Sequence, residues 1–428
     1  MRSPYTPGFG SRPAVLVGRE TLLSRGSATL AGVANSGQAA PQVMTLVGVR
    51  GVGKTVTLAE LETLAGQRGF VTCRVALDRV TDNIQLLSSR LAQALAPFRT
   101  KTGPLWDGFV RRLKSLSVEV NAAIVKITSP APPAAGGTTV ARQVFGDLLA
   151  DASRIAKHHG KRGLALFLDE LQEAPKDQLT ILCNALQDAI AASDGVPLAV
   201  FAAGLPNTPE RVMDAASFAE RFDYRTVGPL DQAAAERALL EPSLSLGVTW
   251  QTDAAKRVLD QAAGSPYLIQ KLGDEAWLSA NPDAGGTITG DDVETAIQAT
   301  MESLTAGMFR GRWTKASPAE KALLAAIAYT QDDTGVARTA DITALLGKTT
   351  PQISSTRKSL IDKGLVTPAG HGTLTLAMPG FDAFVLQQID TPKPAPEATR
   401  HSRGLSRPPS TAEIPLDPPH HNHPHTQP

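Results

Sequence analysis

GVRGVGKT, residues 48–55, is the stretch on which the reading of this chain turns. Its spacing is that of a Walker A phosphate loop, G-x-x-x-x-G-K-[ST]. The glycines let backbone N–H groups curl around phosphate oxygens with no Cβ in the way. On this reading Gly48, Val49, Arg50, Gly51, Val52 and Gly53 cradle a nucleotide. Lys54 reaches the β- and γ-phosphates as a catalytic cation, and Thr55 ligates Mg2+. The bland alternative is a glycine-rich turn that matches by accident. Against it, the apolar run QVMTLVGV (42–49) enters the loop as a strand, and TVTLAELETLAGQ leaves it as a helix whose N-terminus favours an anion.

Working outward, three further apolar runs are short, bounded by turn residues and interleaved with helical patterns: GFVTCRVAL (69–77), GLALFLDE (163–170) and VPLAVFAAG (196–204). Tyr224 to Val227 offers a fifth strand. Buried strands alternating with helices predict an α/β fold with a parallel sheet. That sheet domain is expected over residues 14–230, after a flexible N-terminus at 1–13. SLSVEVNAAIVKIT (115–128) alternates apolar and polar residues and predicts a hairpin with its turn at Asn121-Ala122. SPAPPAAGG (129–137) follows as a flexible loop, so 115–137 is taken as an insertion.

LALFLDE supplies the second half of the chemistry. Its apolar residues carry Asp169 to the C-terminal end of a buried strand, where open α/β sheets bind ligands. Asp169 is the second candidate Mg2+ residue, and Glu170 is placed to polarise an attacking water as general base. An acidic pair capping the next helix is the bland alternative, and its position downstream of the phosphate loop favours function.

Beyond residue 231 the strand pattern gives way to helical periods near 231–240, 252–263, 266–279 and 290–302, an all-helical lid (231–305). A third unit spans 317–388. SPAEKALLAAIAYT opens it with a capping-box pattern, Ser317 to Glu320, and TADITALLG is a short second helix ending at Gly347. TTPQISSTRKSLIDKG is a third, with Thr350 as cap, Pro351 in the first turn and Gly364 as stop. LVTPAGHGTLTLA then makes two strands around Gly370-His371-Gly372. This is the order of a winged helix. Ile353, Leu360 and Ile361 share the core face of the third helix, so Gln352, Ser355, Lys358 and Ser359 face outward, with Arg357 at the flank. In a helix-turn-helix that outward face enters the major groove. Arg357 and Lys358 would meet phosphates, Gln352 would read a base edge, and Ser355 lies among them as a DNA-contact candidate. Use of the unit for protein contacts stays open. FRGRWTKAS (309–317) reads as a mixed-charge linker between lid and winged helix.

Composition bounds the rest. With 42 Lys+Arg against 41 Asp+Glu the formal net charge is +1, so a nucleic-acid or membrane patch must be local. The two cysteines, Cys73 and Cys183, fall in apolar-periodic segments and read as core residues of a reducing compartment. No run reaches the roughly 18 apolar residues of a membrane span. MRSPYTPGFGSRP has no signal-peptide core, and a soluble cytoplasmic chain with no membrane partner is expected. The tail after Thr391 is proline-rich, carries His420, His421, His423 and His425, and is expected to be disordered without a defined metal site.

Taken together, the chain resembles the AAA+/STAND P-loop ATPases, in the origin-recognition-like and archaeal-type branch with a C-terminal winged helix. LVGRE (16–20) is similar to the box that lies against adenine in these families. The resemblance therefore implies Val17, Gly18 and Arg19 at the base and ribose end. GSPYLIQ (264–270) resembles the G-x-P motif of the STAND lid and implies Pro266 on the adenine face, although Pro in the first turn of a helix needs no ligand to explain it. AERFDYRTVGPL (219–230) occupies the place of an arginine finger supplied by a neighbouring subunit, with Arg221 the nearest match and Arg225 the next. By the same resemblance Asn207, after the fourth strand, corresponds to the polar residue near the γ-phosphate. The resemblance implies ATP and Mg2+ as cofactors, an ATP-hydrolysing switch, duplex DNA as a partner and a homo-oligomer. The alternatives are a non-enzymatic ATP- or ADP-binding scaffold and, less in keeping with the added domains, a small-molecule kinase.

Overall fold

Branched and aromatic residues in runs of four to seven, cut off by Gly, Pro or Asp, become strands buried on both faces. The computed structural model describes residues 1–8, 10–101, 103–121, 124–127, 137–192 and 195–389. The expected disordered tail with its histidines, residues 129–136 of the proline-rich loop and Ala122 of the hairpin turn lie outside the described residues.

In chain order the first unit contains α1 (Glu20–Ser36), β1 (Met44–Val47), α2 (Lys54–Gln67), β2 (Val71–Ala76), α3 (Asn83–Leu95) and α4 (Pro104–Ser115). Next come β3 (Val118–Asn121), β4 (Ile124–Ile127), α5 (Gly137–His158), β5 (Leu164–Asp169), α6 (Lys176–Ala191), β6 (Leu198–Gly204), α7 (Thr208–Ala215) and β7 (Asp223–Thr226). Five of these strands form one parallel sheet in the order β2-β5-β6-β1-β7. The predicted α/β class and the fifth strand at Tyr224 are what the structure has. On one face Phe167 and Phe201 stack at 5.2 Å, with Leu46, Leu58 and Leu61 around them. On the other, Leu166, Leu168 and Val200 meet Phe145, Leu148 and Leu182 from α5 and α6. β3 and β4 pair antiparallel, Val118 opposite Ile127.

The sheet leads into α8 (Gln232–Leu244), β8 (Thr249–Trp250), α9 (Thr252–Ala262), α10 (Pro266–Ala280), β9 (Thr287–Ile288) and α11 (Gly290–Leu304). The helices stand where the periodicity puts them, and a two-residue parallel pair, β8 with β9, is the one strand contact added. A π-helical turn at Thr305–Phe309 then runs straight into α12 (Arg310–Thr314). This segment is not the loose linker that its charges suggest. Phe309 is fully buried and packs on Phe381 and Phe384 at 5.3 and 5.7 Å, while Trp313 meets Phe384 edge-on.

The last unit is α13 (Pro318–Thr330), β10 (Val336–Arg338), α14 (Thr339–Leu346), α15 (Thr350–Asp362), β11 (Val366–Gly370), β12 (Thr373–Leu376) and α16 (Phe381–Gln387). Its small antiparallel sheet has the order β10-β12-β11. The Ser317–Glu320 capping box forms as read. The cap of α15 is Thr349 rather than Thr350, because Gln352 reaches back to the Thr349 N–H at 2.8 Å. Helical and C-terminal units share one continuous core, from Leu239 and Trp277 to Leu360 and Phe384.

The N-terminus is not flexible as expected. Tyr5 is 3% exposed, lies edge-on to Trp250 and Trp277 at 6.4 Å each, and donates its hydroxyl to Leu239 O at 2.5 Å. Trp277 Nε1 donates to Met1 O, Thr6 N to Gln270 Oε1, and Arg12 pairs with Glu60 on α2. A proline- and glycine-rich sequence is thus anchored by an aromatic side chain between helices and tied further at Met1, Thr6 and Arg12.

Two stability predictions follow from this packing. Tyr5→Ala leaves a cavity against two tryptophans and is expected to cost about 3 kcal/mol, read as a lower thermal midpoint with altered tryptophan fluorescence. Burial pushes the Glu320 carboxyl up, but donation from Lys363 at 2.7 Å, from the Ser317 N–H and from Ser359 outweighs it and holds the group near 2 instead of 4.5. A depressed carboxyl contributes its stability above its unfolded pKa. That contribution is lost as pH falls from about 4.5 towards 2. Acid titration of Glu320→Gln, followed by circular dichroism, should show less loss over this window than the parent chain.

Candidate functional site

The site gathers at the C-terminal ends of β1, β5 and β6. Gly48 N donates to Gly204 O at 3.2 Å, tying the start of the phosphate loop to the end of β6. A Cβ on Gly48 would sit 2.3 Å from Val227 O, so only glycine lets β1 turn out of the sheet this close to the strand beside it. Gly53, at φ +89°, turns the chain into α2, whose first N–H groups have no side-chain cap.

Lys54 is buried and folded back on its own loop, donating to Gly48 O at 2.9 Å and Val49 O at 2.8 Å. Burial pulls its ammonium down to about 8, against the upward pull of the Glu170 and Asp169 carboxylates. Asp169, at the last position of β5, is pushed up by burial. The Thr55 hydroxyl and the Glu170 N–H, 3.0 Å from its Oδ1, bond to it and pull the other way. The two residues read as metal ligands therefore lie side by side. A hydroxyl beside a buried carboxylate is a hard-oxygen pair that fits Mg2+, which completes its shell with water and phosphate. Among the described residues no cluster of three His, Cys, Asp or Glu could hold a metal by itself.

Glu170 adopts a left-handed backbone, φ +52°, an uncommon and costly state for a residue with a Cβ. Its Oε1 lies 3.5 Å from Arg50 Nη1 on the phosphate loop, and its Oε2 accepts from Gln172 Nε2 at 2.6 Å. Arg50 also faces Glu173 at 3.7 Å, which Arg79 holds at 2.5 Å. Asn207 is buried near the end of β6 with no partner for its Oδ1.

The residues read by resemblance fare unevenly. Pro266 opens α10 beside the loop, where Tyr267 N donates to Gly51 O at 3.3 Å. Val17 is buried in the core of the helical unit, and Gly18, at φ +68°, fits tightly against Leu230 and Ala234. Arg19 spends its guanidinium on backbone carbonyls, Gly18 O at 2.8 Å, Val52 O at 2.9 Å and Gly228 O at 2.7 Å. It clasps the phosphate loop to the chain leaving β7. Arg221 is exposed just before β7, whose register sets Asp223 opposite Met44, the strand end away from the phosphate loop. Within one chain it does not join the site. Arg225 is paired with Asp223 at 2.6 Å.

On α15, Gln352 is exposed but engaged in its own cap, Ser355 is exposed and Arg357 is half-buried. Lys358 forms an ion pair with Glu210 of α7. Ser359, expected to face outward, donates to Glu320 Oε1 at 2.7 Å, because Glu320 draws the C-terminal half of the helix inward. A Cβ on Gly364 would lie 3.6 Å from Leu205, so the end of α15 rests on the chain leaving β6. Sequence reading missed Gln172, a neutral amide within the acidic stretch DELQE, and Arg312. Arg312 is brought down to about 10 by burial and by the like charge of Arg50, and it bonds Met378 Sδ. It brings a cation from α12 towards the phosphate loop.

With this geometry in view, comparison with known proteins gives a consistent answer. Residues 15–201 match the AAA ATPase domain family, and residues 306–385 match a domain of unknown function (DUF8462). No curated protein matches the chain in a sequence search. Among solved structures, the chain is similar to the Walker-type ATPase PABY2304 of Pyrococcus abyssi, with TM-score 0.54 and 15% identity over 88% of this chain and 97% of that one. It is also similar to the Aeropyrum pernix ORC2 protein in its ADPNP-ADP complexes, with TM-score 0.55 and 15% identity over 89% and 97%. At this identity the likeness is one of fold. Residues 15–201 thus match the AAA ATPase domain family, on a fold similar to that of these two proteins.

Proposed function

We propose that this chain is an ATP-binding molecular switch that hydrolyses ATP to ADP and phosphate with Mg2+. The convergence of Lys54, the Thr55–Asp169 pair and Glu170 at adjoining strand ends carries this reading. Lys54 exchanges its two loop carbonyls for β- and γ-phosphate oxygens. Thr55 and Asp169 would hold Mg2+, which would supply positive charge to offset that of the phosphate oxygens. Glu170 takes a proton from the attacking water as the water oxygen bonds to the γ-phosphorus and the bond to ADP breaks. Asn207, buried near the end of β6, would meet the same phosphate by donating from its amide nitrogen. Arg221 acts only if a second copy presents it, which would require at least a dimer.

The output is the C-terminal unit, read here as a winged helix. Arg312 of α12 feels the positive charge of Arg50 on the phosphate loop, which puts that unit within electrostatic reach of a bound polyphosphate. Release of α15 from α7 would free Lys358, with Arg357, Ser355 and Gln352, for duplex DNA. The present engagement of Lys358 and Gln352 within the chain favours a second reading, in which α15 serves protein contacts and the nucleotide is held rather than turned over.

Calorimetric titration is expected to show no ATP binding to Lys54→Ala. Glu170→Gln should bind ATP with near-parental affinity yet lose turnover by about a hundredfold or more. Parental turnover in that variant overturns the role given to Glu170. Phosphate release should rise when duplex DNA is titrated in. No stimulation, together with no mobility shift at low salt, favours the scaffold reading.

A further inference from the structure

Glu170 does not stand alone at the end of β5. Gln172, two residues on and 2% exposed, has each end of its amide committed. Its Nε2 donates to Glu170 Oε2 at 2.6 Å and to Glu173 Oε1 at 3.3 Å. Its Oε1 accepts from Leu205 N at 3.0 Å and from the Thr208 hydroxyl at 3.4 Å. The fit is close: a Cβ on Gly204 would fall 2.6 Å from that same Oε1. Gln172 therefore bonds the carboxylate of β5 to the chain segment that joins β6 to α7.

That segment is also where the C-terminal unit lands. Glu210, in the first turn of α7, pairs with Lys358, and the Leu205 side chain lies under Gly364 at the end of α15. The residue whose N–H Gln172 holds is thus the residue on which α15 rests. On the other side, Arg50 from the phosphate loop faces Glu170 Oε1. Oε2 of the Glu170 carboxylate accepts from Gln172 and Oε1 faces the Arg50 guanidinium at 3.5 Å, while the backbone at this residue is left-handed. Gln172 and Arg50 thus set the direction of a side chain that is otherwise 32% exposed.

We infer that Gln172 is a positioning residue that restrains Glu170 while α15 is docked on α7, so that the C-terminal unit governs ATP turnover through the β6–α7 segment. This rests on the reading of Glu170 as the general base. Undocking lets the start of α7 shift, Gln172 moves with the Leu205 N–H, and Glu170 loses its donor. Because Gln172 touches no part of the nucleotide site other than Glu170, the effect falls on kcat and leaves KM for ATP unchanged.

The test is a set of steady-state ATPase measurements on the full chain. Lys358→Glu sets two carboxylates against each other and should raise kcat about three-fold, the scale that an exposed ion pair sustains, with KM unchanged. Combining it with Glu210→Lys restores the pair with its charges exchanged and should return kcat to the parental value. Gln172→Met keeps the buried volume but neither bond. Gln172→Glu keeps the acceptor for Leu205 N but cannot donate to Glu170. In both backgrounds the response to Lys358→Glu should vanish, with KM for ATP still parental. An undiminished response in both overturns the inference, as does a kcat indifferent to Lys358→Glu in the parental chain. Glu170→Gln separates the two layers: turnover surviving there removes the base reading, whereas turnover lost there with an additive Gln172 effect removes only the coupling. A parental chain with no turnover overturns both.

Discussion

Strands buried on both faces tolerate no charge along their length, because an ion there would lose its hydration with nothing to replace it. β1, β5 and β6 are such strands, and the ionisable side chains that they carry or lead into are pressed to their C-terminal ends. Asp169 occupies the last position of β5, and Lys54 follows β1 after one turn of loop. The order β2-β5-β6-β1-β7 brings those ends side by side. The burial that stabilises the sheet also perturbs the site. It pushes the Asp169 carboxyl up and pulls the Lys54 ammonium down, so each group is better served by a ligand than by its present surroundings. Lys54 meets this cost with two backbone carbonyls of its own loop, contacts that an anion can replace.

A second constraint is continuity of the core beyond the sheet. One apolar cluster runs from Tyr5 through the helical unit to Phe384. Phe309, in the π-helical turn, stitches the two C-terminal parts together. π turns inside longer helices often fall at functional positions, and this one precedes the α12 residue, Arg312, that feels the charge of Arg50. Movement of the C-terminal unit must therefore carry α12 with it. The short N-terminal segment adds a tie between layers, with Tyr5 fixed among the helices and Arg12 on α2.

What the sequence disclosed was local. Phosphate loop, strand with terminal acids, helix caps at Ser317 and the stop at Gly347 are patterns of a few adjacent residues whose physics is complete within a turn or a strand. What it concealed was contact between distant residues. Tyr5 lies 234 positions from the carbonyl it bonds, and Lys358 lies 148 from Glu210. No periodicity reports such pairs. The outward face of α15 shows the limit well: Ile353 and Leu360 announce the buried stripe, but Ser359 turns inward because a charge on another helix, Glu320, attracts it. Gln172 was hidden for a different reason. A glutamine in an acidic run reads as solvated until the sheet brings Leu205 and Thr208 to its carbonyl.

The same distances decide how a switch of this kind can work. The contact between α15 and α7 that is polar is an exposed pair, and exposed pairs are worth little. The apolar part is the rest of Gly364 on Leu205. The ion pair therefore adds little to the docking of that helix, while the helix itself is held by a deep core. A weakly held interface on a rigid body responds to small differences in ligand contact, since a ligand shifts an equilibrium only by what it gains in one state over the other. Replacing the Lys54 carbonyl bonds by phosphate contacts is a difference of that kind. The proposed switch thus needs no large rearrangement of the sheet, only an interface poised near balance beside a charged loop that an anion can satisfy.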